Sequence, residues 1–117
     1  MRAAFTKMHG LGNDFVVLDT RTQPLPPMTP AVARALADRH TGIGCDQLIL
    51  LEESTKADFR MRIFNADGSE VEACGNATRA VAMLHGLPAQ IETAGGILAV
   101  EPGDGGAAVD MGEPRFE

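Results

Sequence analysis

Apolar and polar residues follow one another in short blocks that predict a mixture of strands and helices. Phe59, Met61 and Ile63 alternate with Arg60 and Arg62, so this segment is predicted to be a half-buried strand. The apolar and β-branched run 14–20 and the continuous apolar run 47–53 predict two more strands, the second well covered. Four further short strands are predicted within 3–10, 90–96, 97–106 and 107–114.

Two segments have helical rather than strand periodicity. Thr29 is a suitable N-cap with a proline after it, and apolar residues at i, i+4 spacing predict an amphipathic surface helix over about Pro30–Arg39. From about Gly75 to His85, small and apolar side chains cover nearly the whole helical circumference, which predicts a buried helix. These elements indicate an α+β fold in which mostly antiparallel strands wrap around one buried central helix.

The composition is that of an acidic globular chain and narrows the function classes. The 117 residues are expected to form a single domain, 1–117, with 44% hydrophobic residues and a net charge of -6. The acidic balance and the 4% of aromatic residues argue against nucleic-acid binding. We find neither a membrane-length apolar run nor a secretory signal.

The two cysteines, Cys45 and Cys74, are too few for a disulfide scaffold and are not spaced as zinc ligands. We therefore expect a reduced, cytoplasmic protein without a metal site. Cys74 directly precedes the predicted buried helix, where the helix dipole would lower the pKa of its thiol. The N–H groups of Gly75 and Asn76 would form an anion site there. A small buried cysteine without chemical function is an equally balanced interpretation.

Other polar candidates carry weaker signals. Asn13 lies in a glycine-rich turn, and Asn65 and Asp67 precede another glycine, so turn chemistry explains all three. Gln47 is a better candidate, because an amide is unexpected at the start of an apolar strand. Cys45 is interpreted as a small loop residue. None of the three histidines has a spacing that supports a Cys-His pair.

Taken together, four stretches resemble the diaminopimelate epimerase family. The matching segments are "FTKMHGLGNDFVVLD", "RHTGIGCDQLILLE", "RIFNADGSEVEACGN" and "VDMGEP". They occur in the family's order and extend over essentially the whole chain.

The resemblance implies an isomerase that interconverts LL- and meso-diaminopimelate for lysine and peptidoglycan synthesis, without pyridoxal phosphate or metal. In that family two cysteines on opposite faces of the substrate exchange a proton at Cα, each at the N-terminus of a central helix in one of two similar lobes. By motif, Cys74 matches one of the two cysteines. The positions that match substrate contacts are Asn13, Gln47, Asn65, Gly75 and Asn76.

The chain departs from the family in length, since typical members are about twice as long and carry the second cysteine in a second lobe. We therefore expect an N-terminal lobe that is inactive or nearly so alone and that needs a C-terminal lobe from the same or another chain. Two alternatives remain open. A homodimer could imitate the two-lobed enzyme, or the chain could be a non-catalytic module that binds an amino acid or a partner.

Overall fold

The computed structural model describes residues 3–10, 12–23, 25, 27–40, 42–72, 75–100, 110–112 and 115–116. In chain order its elements are β1 (Ala3–Ala4), β2 (Thr6–Gly10), β3 (Asn13–Asp19), α1 (Pro30–Ala37), β4 (Gln47–Glu52), β5 (Phe59–Asn65), β6 (Glu70–Val71), α2 (Gly75–His85), β7 (Ala89–Thr93), β8 (Gly96–Val100), β9 (Asp110–Gly112) and β10 (Arg115–Phe116).

Most of the strands form one mixed sheet in the order β8-β7-β5-β4-β3-β2-β9, with β6 paired beside β5. Two neighbouring pairs, β3–β4 and β5–β7, are parallel, and the other pairs of this sheet are antiparallel. The short strands β1 and β10 pair separately. The predicted α+β class is confirmed. The predicted number of strands, about seven, was too low, because the described residues form ten: the first strand is divided at Phe5, and β6 and β10 were not anticipated.

Each parallel pair is connected through a helix, which explains why the two helices lie on opposite faces of the sheet. The chain passes from β3 through α1 to β4, and from β5 through α2 to β7. Both crossovers step in the same direction along the sheet, but β3 and β5 point in opposite directions. Right-handed crossovers therefore place α1 on one face and α2 on the other.

The burial of side chains follows this arrangement. One core lies between the sheet and α2, and the other lies between the sheet and α1. On β4, Ile49 and Leu51 face the α2 core, whereas Leu48 and Leu50 face the α1 core. Coverage on both faces is the reason that β4 has a continuous apolar sequence.

Helix α1 begins as predicted, but it ends two residues earlier. The Thr29 hydroxyl accepts a hydrogen bond from the Val32 N–H at 3.2 Å, and a proline occupies the first turn. The helix stops at Ala37, because Asp38 is in an extended conformation with φ -65 and ψ 126. Arg39, which the sequence placed in the helix, therefore lies beyond it and is directed by the following loop.

Helix α2 has the predicted bounds, Gly75–His85, and its last turn is followed by Gly86 at φ 79. Ala77, Ala80, Val81 and Ala82 are buried. The side chains that complete its described circumference, from Thr78 to His85, are half-buried rather than fully enclosed. The described residues thus pack α2 on one face of the sheet, and its enclosure by strands stays a prediction.

The contacts of α2 with β5 define its direction along the sheet. The ring of His85, at the end of α2, lies 5.1 Å from the ring of Phe59, the first residue of β5. β6, which precedes α2 in the chain, pairs with the last part of β5. Because the helix is about 16 Å long and β5 about 20 Å, the start of α2 at Gly75 is directed toward the end of β5 at Asn65. Within the described ranges, neither helix has the length and apolar character needed to cross a bilayer.

Candidate functional site

Three of the predicted site residues lie at one end of the sheet, on the face that α2 covers. Asn13 is the first residue of β3, Gln47 is the first of β4, and Asn65 is the last of β5. Gln47 pairs with Phe15 on one side and with Asn65 on the other. Side chains alternate between the faces, and residues two positions along each strand from these three belong to the α2 core.

The sequence-based placement of Asn13 in a turn was wrong, since Asn13 is the first residue of β3.

Two of these amides are in direct contact. The Gln47 Nε2 donates a hydrogen bond to the Asn65 Oδ1 at 3.1 Å, and the Asn65 Nδ2 donates to the Ser69 Oγ at 3.3 Å. The Gln47 Oε1 is buried and has no hydrogen-bond partner among the described residues. A buried acceptor without a partner costs about 1–3 kcal/mol, so this oxygen is suited to a donor group from a ligand.

The turn after β5 fixes the position of Asn65. The Asn65 N–H donates to the Ser69 carbonyl at 2.8 Å, and the Asp67 carboxylate accepts from the Ser69 N–H at 2.8 Å. Gly68 closes the turn at φ 92 and packs so tightly that an added Cβ would collide with the Pro30 carbonyl oxygen. Asp67 is therefore a turn residue, as predicted, whereas Asn65 both ends a strand and contacts Gln47.

The N-terminus of α2 points toward the same end of the sheet. Gly75 and Asn76 lie in the first turn of α2, and the Asn76 side chain lies outside the described part of the structure. Cys74, the predicted reactive thiol, also lies outside the described residues. The first N–H groups of a helix have no partners within it and carry partial positive charge, so the amides of Gln47 and Asn65 face an electropositive helix end.

A charged cluster that sequence reasoning missed lies on the opposite face, directly behind Asn13 and Gln47. Arg39 donates two parallel hydrogen bonds to the Asp14 carboxylate, at 3.0 and 2.9 Å, and contacts the Asp46 Oδ1 at 3.3 Å. Lys7 approaches Asp14 at 3.4 Å. The bonds with Arg39 hold the pKa of the Asp14 carboxyl well below its usual range. The sequence offered one indication of this cluster, namely that Asp14 follows Asn13 and Asp46 precedes Gln47.

Cys45 belongs to the α1 core rather than to the site. It is 1% exposed, and burial, with a smaller contribution from the nearby Asp14 charge, raises the pKa of its thiol to about 11. His9 and His40 are exposed, and His85 lies at the other end of α2. Among the described residues there is thus no Cys-His pair, and no group of three or more His, Cys, Asp or Glu residues could hold a metal ion.

The sequence matches a family model described as diaminopimelate epimerase over residues 5–117. A diaminopimelate epimerase of Erythrobacter litoralis is 73% identical over 117 residues, which are 100% of this chain and 44% of that protein. Another, of Zymomonas mobilis, is 59% identical over 99% of this chain and 43% of its own length. The chain thus spans less than half the length of these relatives.

Solved structures show a similar fold at low sequence identity. A phenazine biosynthesis protein of the PhzF family from Bacillus anthracis has a TM-score of 0.66 at 21% identity, covering 95% of this chain and 40% of that protein. A PhzF family protein of Enterococcus faecalis has a TM-score of 0.65 at 17% identity, with 89% of this chain and 42% of that protein covered. At this level of identity the likeness shows the fold alone.

Proposed function

The chain belongs to the diaminopimelate epimerase family, and on that premise we propose that residues 1–117 form one lobe of an enzyme that inverts an α-carbon of diaminopimelate. The proposal rests on the position of Asn13, Gln47 and Asn65, which lie together at the end of the sheet toward which the N-terminus of α2 is directed. The matching lobe, with the opposing cysteine, would come from the same or another chain. The relatives' greater length supports this.

Cys74 is proposed to act as an acid or base. Its thiolate takes the proton as the Cα–H bond breaks, and the electron pair passes to the adjacent carboxylate. A thiol on the opposite face then returns a proton to the carbanion with inverted configuration. The start of α2 one residue later supports this role, because unpaired N–H groups there lower the pKa of a neighbouring thiol.

The remaining groups are proposed to bind and stabilise the substrate. The N–H groups of Gly75 and Asn76 would bind the substrate carboxylate, where negative charge grows in the transition state. The unpaired Gln47 Oε1 would accept a hydrogen bond from the substrate ammonium, and Asn13 and Asn65 would contact its other polar atoms. The reaction as proposed uses no pyridoxal phosphate. A free reactive thiol supports a reducing compartment, the cytoplasm.

Hydrogen exchange at the substrate Cα tests the half-enzyme proposal. The 117-residue chain in heavy water is expected to form almost no deuterated meso-diaminopimelate from the LL isomer, because inversion needs a thiol on each face of Cα. Sedimentation in the same buffer establishes whether the chain is monomeric. Rapid formation of deuterated meso-diaminopimelate by a monomer, abolished in Cys74→Ser and retained in Cys45→Ser, would show that the second lobe is unnecessary.

Thiol reactivity distinguishes a catalytic lobe from a module that only binds. The alkylation rate of Cys74, measured against pH in a Cys45→Ser background, should report a pKa below the ordinary value of about 8.5. Addition of diaminopimelate should slow this alkylation, because the ligand would cover the thiol. An ordinary pKa combined with protection by the ligand would indicate amino-acid binding without catalysis.

A further inference from the structure

The position of Asn13 relative to Gln47 is not fixed by the strands that carry them. Each is the first residue of its strand, and the parallel pairing of β3 with β4 begins at Phe15 and Gln47. Asn13 is paired only with Gly10 on the other side, in β2. Strand ends open more readily than strand interiors, so another contact must hold these amides in place.

The residues next to the two amides supply that contact. The Asp46 N–H donates to the Asp14 Oδ1 at 2.7 Å and lies 3.1 Å from the Asp14 carbonyl oxygen. In return, the Asp14 N–H donates to the Asp46 Oδ2 at 2.9 Å. Each aspartate thus binds the other's backbone. Because Asp14 follows Asn13 and Asp46 precedes Gln47, this reciprocal pair fixes the backbone of both amides.

Arg39 closes the arrangement from the α1 side. Its guanidinium binds both oxygens of Asp14 and one oxygen of Asp46. Such a planar fork fixes orientation as well as charge. An added Cβ on Gly44, at φ 87, would lie 3.0 Å from the Arg39 Cα, so the loop holds the arginine closely. Lys7 also spans the site, donating to the Gly44 carbonyl at 2.8 Å.

We propose that Asp14, Asp46 and Arg39 are positioning residues that set the Asn13 and Gln47 amides from behind the sheet. They lie on the α1 face and the amides on the α2 face, so they act through the backbone and do not touch a ligand. That the amides bind a substrate rests on the function proposed above. The positioning of the two amides by Asp14, Asp46 and Arg39 does not depend on that proposed function.

The side-chain NH₂ signals of Asn13 and Gln47 in NMR spectra report this directly. Arg39→Gln should shift both signals and speed their exchange with solvent about tenfold, because the strand ends open more often. Arg39→Lys keeps the charge but loses the fork, so a smaller change is expected. Should Arg39→Gln fail to fold, the lysine variant carries the test.

Arg21→Gln is the matched control. Arg21 binds both oxygens of Asp19, at the opposite end of β3, with two hydrogen bonds of 2.9 Å. This variant should lower the melting temperature without moving the Asn13 and Gln47 signals. Equal shifts in both variants, or unchanged signals in Arg39→Gln and Arg39→Lys, would overturn the inference.

A titration with diaminopimelate separates this inference from the proposed function. If the chain binds diaminopimelate, Arg39→Gln should weaken binding about tenfold and Arg21→Gln should not. A wild-type chain that does not bind diaminopimelate, but whose amide signals respond to Arg39→Gln as expected, would contradict the proposed substrate and leave the positioning role supported.

Discussion

The two ends of β3 carry the same kind of ion pair but differ in what that pair holds. At the site end, Arg39 binds Asp14, which is 25 positions away and also accepts a hydrogen bond from the backbone N–H of Asp46, the residue before β4. At the far end, Arg21 binds Asp19 two residues away and lies over the ring of Phe59 at 4.8 Å. The first pair connects the loop after α1 with β3 and with the residue before β4, whereas the second stabilises one local turn.

The far end of β3 also contains a cavity, which would be chosen as the binding site if its volume were the only criterion. It measures about 460 Å³, and its lining includes Asp19, Arg21 and His85. None of its lining residues has a buried polar atom without a hydrogen-bond partner in the described structure, whereas Gln47 does. This difference is the reason for placing the candidate site at the Gln47 end rather than in the cavity.

The largest expected effect comes from the turn that fixes Asn65. Gly68→Ala should destabilise the protein by about 3 kcal/mol, since its added Cβ would collide with the Pro30 carbonyl and φ is positive. Gly86→Ala, at φ 79 after α2 with open space around it, should cost only about 1–2 kcal/mol. Urea denaturation measures both. Equal losses would mean that the contact with Pro30 does not constrain the turn.

The next effect depends on pH and compares the two aspartates of β3. In the unfolded chain an aspartate takes up its proton near pH 4. Asp14 stays ionised to lower pH in the folded protein because of its bonds with Arg39. Burial raises the pKa of Asp19, but the bonds with Arg21 together lower it by more than burial raises it. The net shift of the Asp19 pKa is therefore also downward. Below about pH 4 the unfolded state therefore binds more protons than the folded state, and the free energy of unfolding decreases as the pH is lowered.

Asp14→Asn should remove part of this acid sensitivity. It should also lower the free energy of unfolding at pH 7 by about 1–2 kcal/mol, a value that allows for screening of the ion pair by solvent. Asp19→Asn should do the same to a smaller extent, because its partner is local. The free energy of unfolding between about pH 2.5 and 7 measures both slopes. A steeper slope in Asp14→Asn than in wild type would contradict the assigned direction of the shift.

Much of this arrangement could be predicted from sequence where the signal is local. The bounds of α2 follow from the apolar run that Gly86 ends, and Gln47 stood out as an amide opening an apolar strand. The contact between Arg39 and Asp14 could not be predicted, because it depends on parallel pairing of β3 with β4, which periodicity does not specify. The early end of α1 was missed because no glycine marks it.

A smaller effect concerns the different reactivities expected of the two cysteines. Cys45, buried in the α1 core with a pKa raised to about 11, should resist iodoacetamide at neutral pH in the folded protein and react only after denaturation. Cys74 should react without denaturation, as the proposed function requires. Mass spectrometry of labelled peptides measures each site, and native labelling of Cys45 would contradict its burial.

The smallest effect is expected from a third bidentate pair, which joins β5 to β6. Arg62 binds both oxygens of Glu70 at 3.0 Å, but the two side chains are 25% and 35% exposed. A double-mutant cycle with Arg62→Gln and Glu70→Gln should give a coupling energy of about 0.5 kcal/mol. The Gln47 side-chain signal should stay unchanged in all three variants. Because this pair is bidentate, as is that of Arg39 with Asp14, a shift of this signal would show that the amides respond to any lost ion pair on the sheet. Their response to Arg39 would then no longer identify a positioning residue.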